Sequence, residues 1–356
     1  MNNVLTFLLV AVIKIVVTVG VLLTIVAYTV WLERKVVGHI QNRWGPSRVG
    51  PFGLLQPLAD GAKFLLKEDL TPPYVSRGLY LLAPVLALTM AMTSIALVPI
   101  GPSVTIFGIT TPIQITGITE ANGQAGDIGI GLLIILGLTS VGVYGIALAG
   151  WSSNSKYSLL GALRACAQMV SYEVALGLSV IGVLIICESF SLRDIVNQQQ
   201  GTWLGFIPKW NIFKGQFIAF FIYLMAAFAE TNRIPFDLPE AETELVAGYH
   251  TEYSAMKFAM FFMAEYANMV TVACLASVLF LGGWSGPVFG PPILQGLLPV
   301  FWFLLRIFVF LFIYIWVRGT LPRFRYDQLM AFAWKFLLPV AIANIVITAL
   351  VVALRS

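Results

Sequence analysis

Six carboxylates, Glu230, Asp237, Glu240, Glu242, Glu244 and Glu252, fall between positions 230 and 252 against a single Arg233, a net of minus five with His250 neutral. Glu240 and Glu244 are four apart and share one helical face, where like charges repel by about 0.2–0.5 kcal/mol even in water. Withdrawn from water, repulsion and desolvation together raise the proton affinity of a carboxylate toward neutral pH. Acids in that state can take up and release protons, so the first chemistry the segment suggests is a proton relay. The competing reading is a solvated acidic loop that docks a basic partner. Pro235 and Pro239 interrupt any regular helix here. The irregular backbone they leave is tolerated at membrane depth only where protein buries it or a wet cavity receives it.

Two further acids stand inside apolar runs: Glu173 in the run at 160–187 and Glu265 in that at 254–282. A charged side chain at the centre of a bilayer costs about 2.5–3.5 kcal/mol on insertion scales, so acids in such places usually face a cavity or a partner. Lys14 and Arg306 are the basic counterparts, in the runs at 5–31 and 297–317. Fixed ion pairs that orient helices are the alternative for all four.

Other chemistries find little support. The chain has only two histidines, His39 and His250, and Cys166, Cys187 and Cys274 are isolated in apolar surroundings without the paired spacing of a zinc or iron–sulfur site. No metal site is expected. Gly126–Gly131 reads GDIGIG but opens a membrane run, which favours helix packing over a dinucleotide turn.

These residues must be positioned by membrane helices. Hydrophobic residues make up 59% of the 356 positions and charged residues 11%, with a mean hydropathy of +0.88, too little polar surface to coat a soluble globule. Apolar runs long enough to span lipid recur at 5–31, 78–100, 127–150, 160–187, 215–230, 254–282, 297–317 and 333–353. The expectation is an all-α, polytopic integral membrane protein with about eight transmembrane helices, forming a single domain over 1–356. The first run lacks a cleavage site and should remain in the mature protein.

Lysine and arginine concentrate in the loops at 32–77, 151–160, 231–253 and 318–332, whereas the opposite loops hold only Arg193, Lys209, Lys214 and Arg355. The positive-inside bias therefore makes the first set cytoplasmic and places both termini outside. The net charge of +4 is dispersed and suggests no nucleic-acid surface. Within the first loop, Gly53–Lys67 has a helical period, with Leu54, Leu58, Ala62, Leu65 and Leu66 on one face and Gln56, Asp60, Lys63 and Lys67 on the other. Such a helix lies in the membrane interface, either as a brace or as the border of an opening for a lipid-soluble ligand.

Several motifs in these places resemble those of the quinone-side membrane subunit of proton-translocating NADH:quinone oxidoreductase, respiratory complex I. They are Trp31–Lys35 (WLERK), Gly38–Pro46 (GHIQNRWGP), Leu55–Asp60 (LQPLAD), Ala167–Glu173 (AQMVSYE), Ala229–Asp237 (AETNRIPFD), Phe261–Tyr266 (FFMAEY) and Pro322–Gln328 (PRFRYDQ). The resemblance covers all eight runs, while the loops at 101–126 and 189–214 stay unassigned. It implies a quinone tunnel opening between the first, amphipathic and sixth helices and lined by Glu33, Arg34, Arg43, Asp60, Phe262, Glu265, Arg318 and Arg323. It also implies a proton relay through Glu173, Glu230, Asp237, Glu240, Glu242, Glu244 and Glu252.

Ubiquinone or menaquinone would be the substrate, and flavin and iron–sulfur clusters would reside on partner subunits. Those partners would be other membrane subunits and a peripheral arm carrying the terminal cluster. The setting would be the inner membrane of a bacterium, with both termini periplasmic. Two alternatives stay open: the related membrane subunit of an energy-converting hydrogenase, and a secondary ion transporter with its substrate at the bilayer midplane.

Overall fold

The protein, seen here as a computed structural model, is described at residues 2–106, 109–113, 118–119, 125–126, 128–203, 207–237, 247–289 and 291–354. The long elements are α1 (Asn2–Ile40), α3 (Arg77–Ile95), α4 (Gly131–Ser152), α5 (Lys156–Cys187), α7 (Phe217–Glu230), α8 (Ala255–Phe280), α9 (Pro292–Thr320) and α11 (Leu338–Ala353). Shorter helices are α2 (Gln56–Leu66), α6 (Leu192–Asn197) and α10 (Tyr326–Phe332), the last running into α11 through a π-helical turn at Ala333–Leu337. Helices are the outcome because lipid offers no partners for peptide groups, so each crossing must bond internally. Among the described residues the only strands are three small antiparallel hairpins, in the connections at 101–126 and 202–208.

Seven helices among the described residues are long and apolar enough to cross a membrane by themselves. The run at 215–230 forms the eighth, α7, with only 14 residues. At 1.5 Å per residue it falls short of the hydrocarbon thickness of about 30 Å. Its ends explain this: Gly215 adopts φ 94 before it, and Asn232 (φ 50) followed by Pro235 ends it.

The first helix is longer than the apolar run at 5–31 indicates. Nothing stops it until Asn42 takes φ 55 ahead of Gly45 and Pro46, so α1 carries Glu33 and Arg34 on a rigid helix instead of a loop.

Helix α8 is the centre of the bundle, with 72% of its apolar window buried against 11% for α1. Around it pack α3, α7, α9 and part of α5, while α1 and α2 cover one flank. Two of the glycines in the Gly126–Gly131 stretch do not mediate close helix approach. Gly129 and Gly131 have open space around them. A Cβ at Gly145 would instead meet Ala87 at 2.9 Å, and one at Gly150 would overlap Ala162.

Helix α2 matches the expected amphipathic segment but hides none of its residues within the protein. Leu58, Leu65 and Leu66 are 70%, 71% and 87% exposed, a face that water would penalise and an acyl layer accepts.

Candidate functional site

The site is built where one end of α1 and the helices α8 and α9 meet the turn after α7. Glu33 stands near the end of α1, 8% exposed, and accepts hydrogen bonds from Tyr266 Oη of α8 at 2.8 Å and from Arg318 of α9. Three helices far apart in sequence are thereby joined through one carboxylate. Breaking such a buried pair by removing one partner is costly, since the survivor keeps its desolvation penalty.

On the face of the same tyrosine, the guanidinium of Arg233 lies 4.2 Å from the centroid of the Tyr266 ring, and its Nη2 approaches Glu265 at 3.6 Å. Glu265 also accepts a 3.0 Å hydrogen bond from Tyr249 Oη. Arg233 and Glu265 are both buried. Two arginines and two carboxylates therefore alternate around Tyr266: Arg318, Glu33, Arg233, Glu265. The alternation lowers the cost of burying Glu33, Arg233 and Glu265, while Arg318 keeps 32% of its side chain exposed.

Glu265 and Glu230 line one cavity, together with Thr231, Asn232, Tyr249 and Asn268. Its water-sized space is about 30 Å³, enough for a molecule or two of water. Asn268 Oδ1 is buried on this cavity with no hydrogen-bond partner, the kind of acceptor that internal water satisfies. On the far side, α4 presents two adjacent hydroxyls. Thr139 faces the Glu230 carboxylate, and Ser140 donates to Glu173, which lies within electrostatic reach of Glu230.

A second set joins α1 to the amphipathic helix α2. Arg34 Nη1 bonds Asp60 Oδ2 at 2.8 Å, and Gln56 Nε2 bonds the other Asp60 oxygen at 2.9 Å. This pins α2 to α1. Behind it runs a ladder of rings: Phe64 to Phe258 at 6.3 Å, Phe258 to Phe262 at 4.9 Å and Phe262 to Tyr266 at 6.3 Å. The ladder leads from the amphipathic helix to the tyrosine at the centre of the charged group.

The structure thus brings together Glu33, Phe262, Glu265 and Arg318 as one group, Arg34 and Asp60 as another, and Glu173 and Glu230 as a third. Asp237 pairs with Arg323 at 3.0 Å beside the turn after α7. Two residues stand apart. Arg43 is exposed and bonds Gln41 at 2.8 Å. Glu252 accepts from Tyr74 Oη at 2.7 Å in the connection before α3, where burial also pushes the neighbouring Tyr253 phenol up to about 12. Glu240, Glu242 and Glu244 lie outside the described residues. The basic residues of the apolar runs do not form the fixed ion pairs considered for them: Arg306 donates to the carbonyls of Gly283 and Ser285, and Lys14 pairs with no described acid.

Sequence alone does not single out Arg233, Tyr249, Tyr266, Asn268, Thr139 and Ser140 as site residues. Arg233 carries a usable signal, as the sole cation of an acidic stretch. The hydroxyls and the amide carry none, because such side chains are common in helix interiors and only their neighbours give them a role.

A model of the NADH dehydrogenase family matches residues 13–349. The second NADH-quinone oxidoreductase H subunit of Koribacter versatilis is 76% identical, with all of both chains covered. The first H subunit of Solibacter usitatus is 49% identical with 98% of each chain covered, and the first of Geobacter sulfurreducens is 50% identical over 96% of this chain and 94% of its own. With near-complete coverage and identities of this size, the chain belongs to the H-subunit family of NADH-quinone oxidoreductase.

Proposed function

We propose that this chain forms much of the quinone-binding tunnel of a proton-translocating NADH:quinone oxidoreductase and transmits the result of quinone reduction through buried carboxylates. The supporting observation is that Glu265 and Glu230 line one polar cavity, while Arg233 links Glu265 to the Tyr266, Glu33 and Arg318 group. An uncharged quinone, ubiquinone or menaquinone, would enter beside α2 between Arg34–Asp60 and the phenylalanine ladder. Apolar walls offer such a substrate no fixed stopping point, and the cations at the end do.

Arg318 and Arg233 are placed to stabilise negative charge that develops as the substrate is reduced. Any such charge competes with Glu33 and Glu265 for the same guanidinium groups. A carboxylate that loses its cation binds protons more tightly. Proton uptake at Glu265 would then be felt across the cavity at Glu230 and, through the α4 hydroxyls, at Glu173. Asp237, Glu240, Glu242, Glu244 and Glu252 would extend or flank this path. Neighbouring membrane subunits would respond to the altered charge.

Electrons would arrive from a partner that carries the terminal iron–sulfur cluster, with flavin and the NADH site farther out on other partners. The basic loops set the orientation: the charged group faces the cytoplasm and both termini face the periplasm of a bacterial inner membrane.

The test uses assembled complexes carrying Glu265→Gln, Glu230→Gln or Glu173→Gln. NADH oxidation by a hydrophilic acceptor should persist, while quinone-linked proton pumping falls. Unchanged pumping per NADH in all three would remove the relay.

A further inference from the structure

We infer that Gln168, on α5, is a positioning residue for the charged group, resting on the function just proposed: its amide sets the turn that carries Glu230 and Arg233. The side chain is completely buried. Its Nε2 lies 2.8 Å from the Ala229 carbonyl oxygen, 2.7 Å from that of Phe236 and 3.3 Å from Asn232 Oδ1. Two protons meet three acceptors, so the short contacts to the carbonyls take one proton each and the Asn232 contact is shared. A flipped amide would aim its oxygen at three other oxygens, so only one orientation is compatible with the site.

The two carbonyls belong to the residues on either side of the segment 230–235, so the amide closes a loop across the turn. Inside that loop Asn232 has φ 50, the left-handed conformation that asparagine accepts more readily than other non-glycine residues and that reverses the chain here. Glu230 lines the cavity from one end of the segment, and Arg233 reaches Glu265 and Tyr266 from its middle. Backbone bonds hold the turn locally, Arg233 N to the Phe228 carbonyl at 3.3 Å, Phe236 N to that of Arg233 at 2.8 Å and Phe324 N to that of Pro235 at 3.1 Å, and the Gln168 amide ties its two ends to α5. Sliding the turn would alter the Arg233–Glu265 distance and the Glu230 position together. Gln168 touches neither carboxylate, so it acts through the backbone.

The experiment compares the whole complex carrying Gln168→Met, which keeps the volume and removes both donors, with Gln168→Glu, whose neutral acid has one proton for two carbonyls. Expected for Q168M is an unchanged NADH rate with a hydrophilic acceptor. Its kcat for quinone reduction should fall about tenfold or more with little change in KM, as for small displacements of reacting groups. Q168E should lie between Q168M and the parent. A parental kcat in Q168M overturns the assignment, as does a loss confined to KM. If Q168M does not assemble, Q168E decides by the same split, and failure of both to assemble makes Gln168 a folding residue and overturns it too.

The proposed relay fails separately. Normal pumping in E265Q, E230Q and E173Q beside an impaired Q168M would sink the relay, whereas impaired carboxylate variants beside a normal Q168M would sink only the role of Gln168.

Discussion

Tyr266 Oη donates to Glu33 Oε2 across 2.8 Å, joining the end of α1 to the central helix α8 at a point where neither side chain reaches bulk water. The same tyrosine carries Arg233 on its ring face, so one side chain contacts an acid through its edge and a base through its π-system.

Glu33 has two donors, and they should be unequal in importance. Tyr266→Phe removes a neutral donor and leaves the Arg318 pair intact, whereas Arg318→Met leaves a carboxylate that is 8% exposed without its cation. Quinone-reductase kcat/KM should therefore fall further in R318M than in Y266F, each normalised to the NADH rate with a hydrophilic acceptor. The reverse order would mean that Arg318 is not the principal partner of Glu33.

The Arg34–Asp60 pair is partly exposed, at 51% and 32% of its side-chain surfaces, so its contribution to stability is small, about 0–1 kcal/mol. Its effect should appear in substrate access instead. Asp60→Ala should leave the thermal midpoint of the complex nearly unchanged and raise the KM for quinone several-fold. The double exchange of Arg34→Asp with Asp60→Arg should recover part of that loss. A large drop in thermal midpoint for D60A would instead make the pair a stability element.

Asn268→Leu removes the unpaired acceptor and makes that part of the lining of the cavity between Glu265 and Glu230 hydrocarbon. Leucine keeps nearly the shape of asparagine but gives water in the space of about 30 Å³ no hydrogen-bond partner. Coupled turnover should slow several-fold, with the solvent deuterium isotope effect on quinone reduction increasing because proton delivery becomes limiting. Asn268→Asp keeps the polarity and should be milder. Parental turnover and isotope effect in N268L would show that no proton crosses this cavity.

Outside the membrane, the Tyr74 phenol is raised above its ordinary value of 10.0 by its 2.7 Å hydrogen bond to Glu252, by desolvation and by the charge of that carboxylate. The sign follows from the phenolate, which would lose the hydrogen bond and face a second negative charge. Glu252→Gln should therefore bring the Tyr74 transition down toward 10.0, read as the alkaline difference absorbance against Tyr74→Phe. If E252Q leaves the transition in place, the hydrogen bond is not what holds it up.

Much of the fold is already present in local composition. Apolar runs, the amphipathic period at Gly53–Lys67 and the acids stranded in hydrocarbon follow from hydropathy, because lipid penalises each misplaced polar group independently of its distant neighbours. That is why the helices could be read directly. The extension of α1 to Ile40 and the shortness of α7 were harder, since both depend on where backbone breakers act and not on apolarity.

What the tertiary structure alone decided is who meets whom. Glu33 and Arg318, Arg323 and Asp237, and Gln168 and Phe236 lie in different helices and connections, and no period along the chain relates them. Hydropathy records the cost of burying a charge at one position. The partner that offsets the cost is fixed only when helices pack and bring a guanidinium, a phenol or an amide within about 3 Å, a distance set by three-dimensional contact.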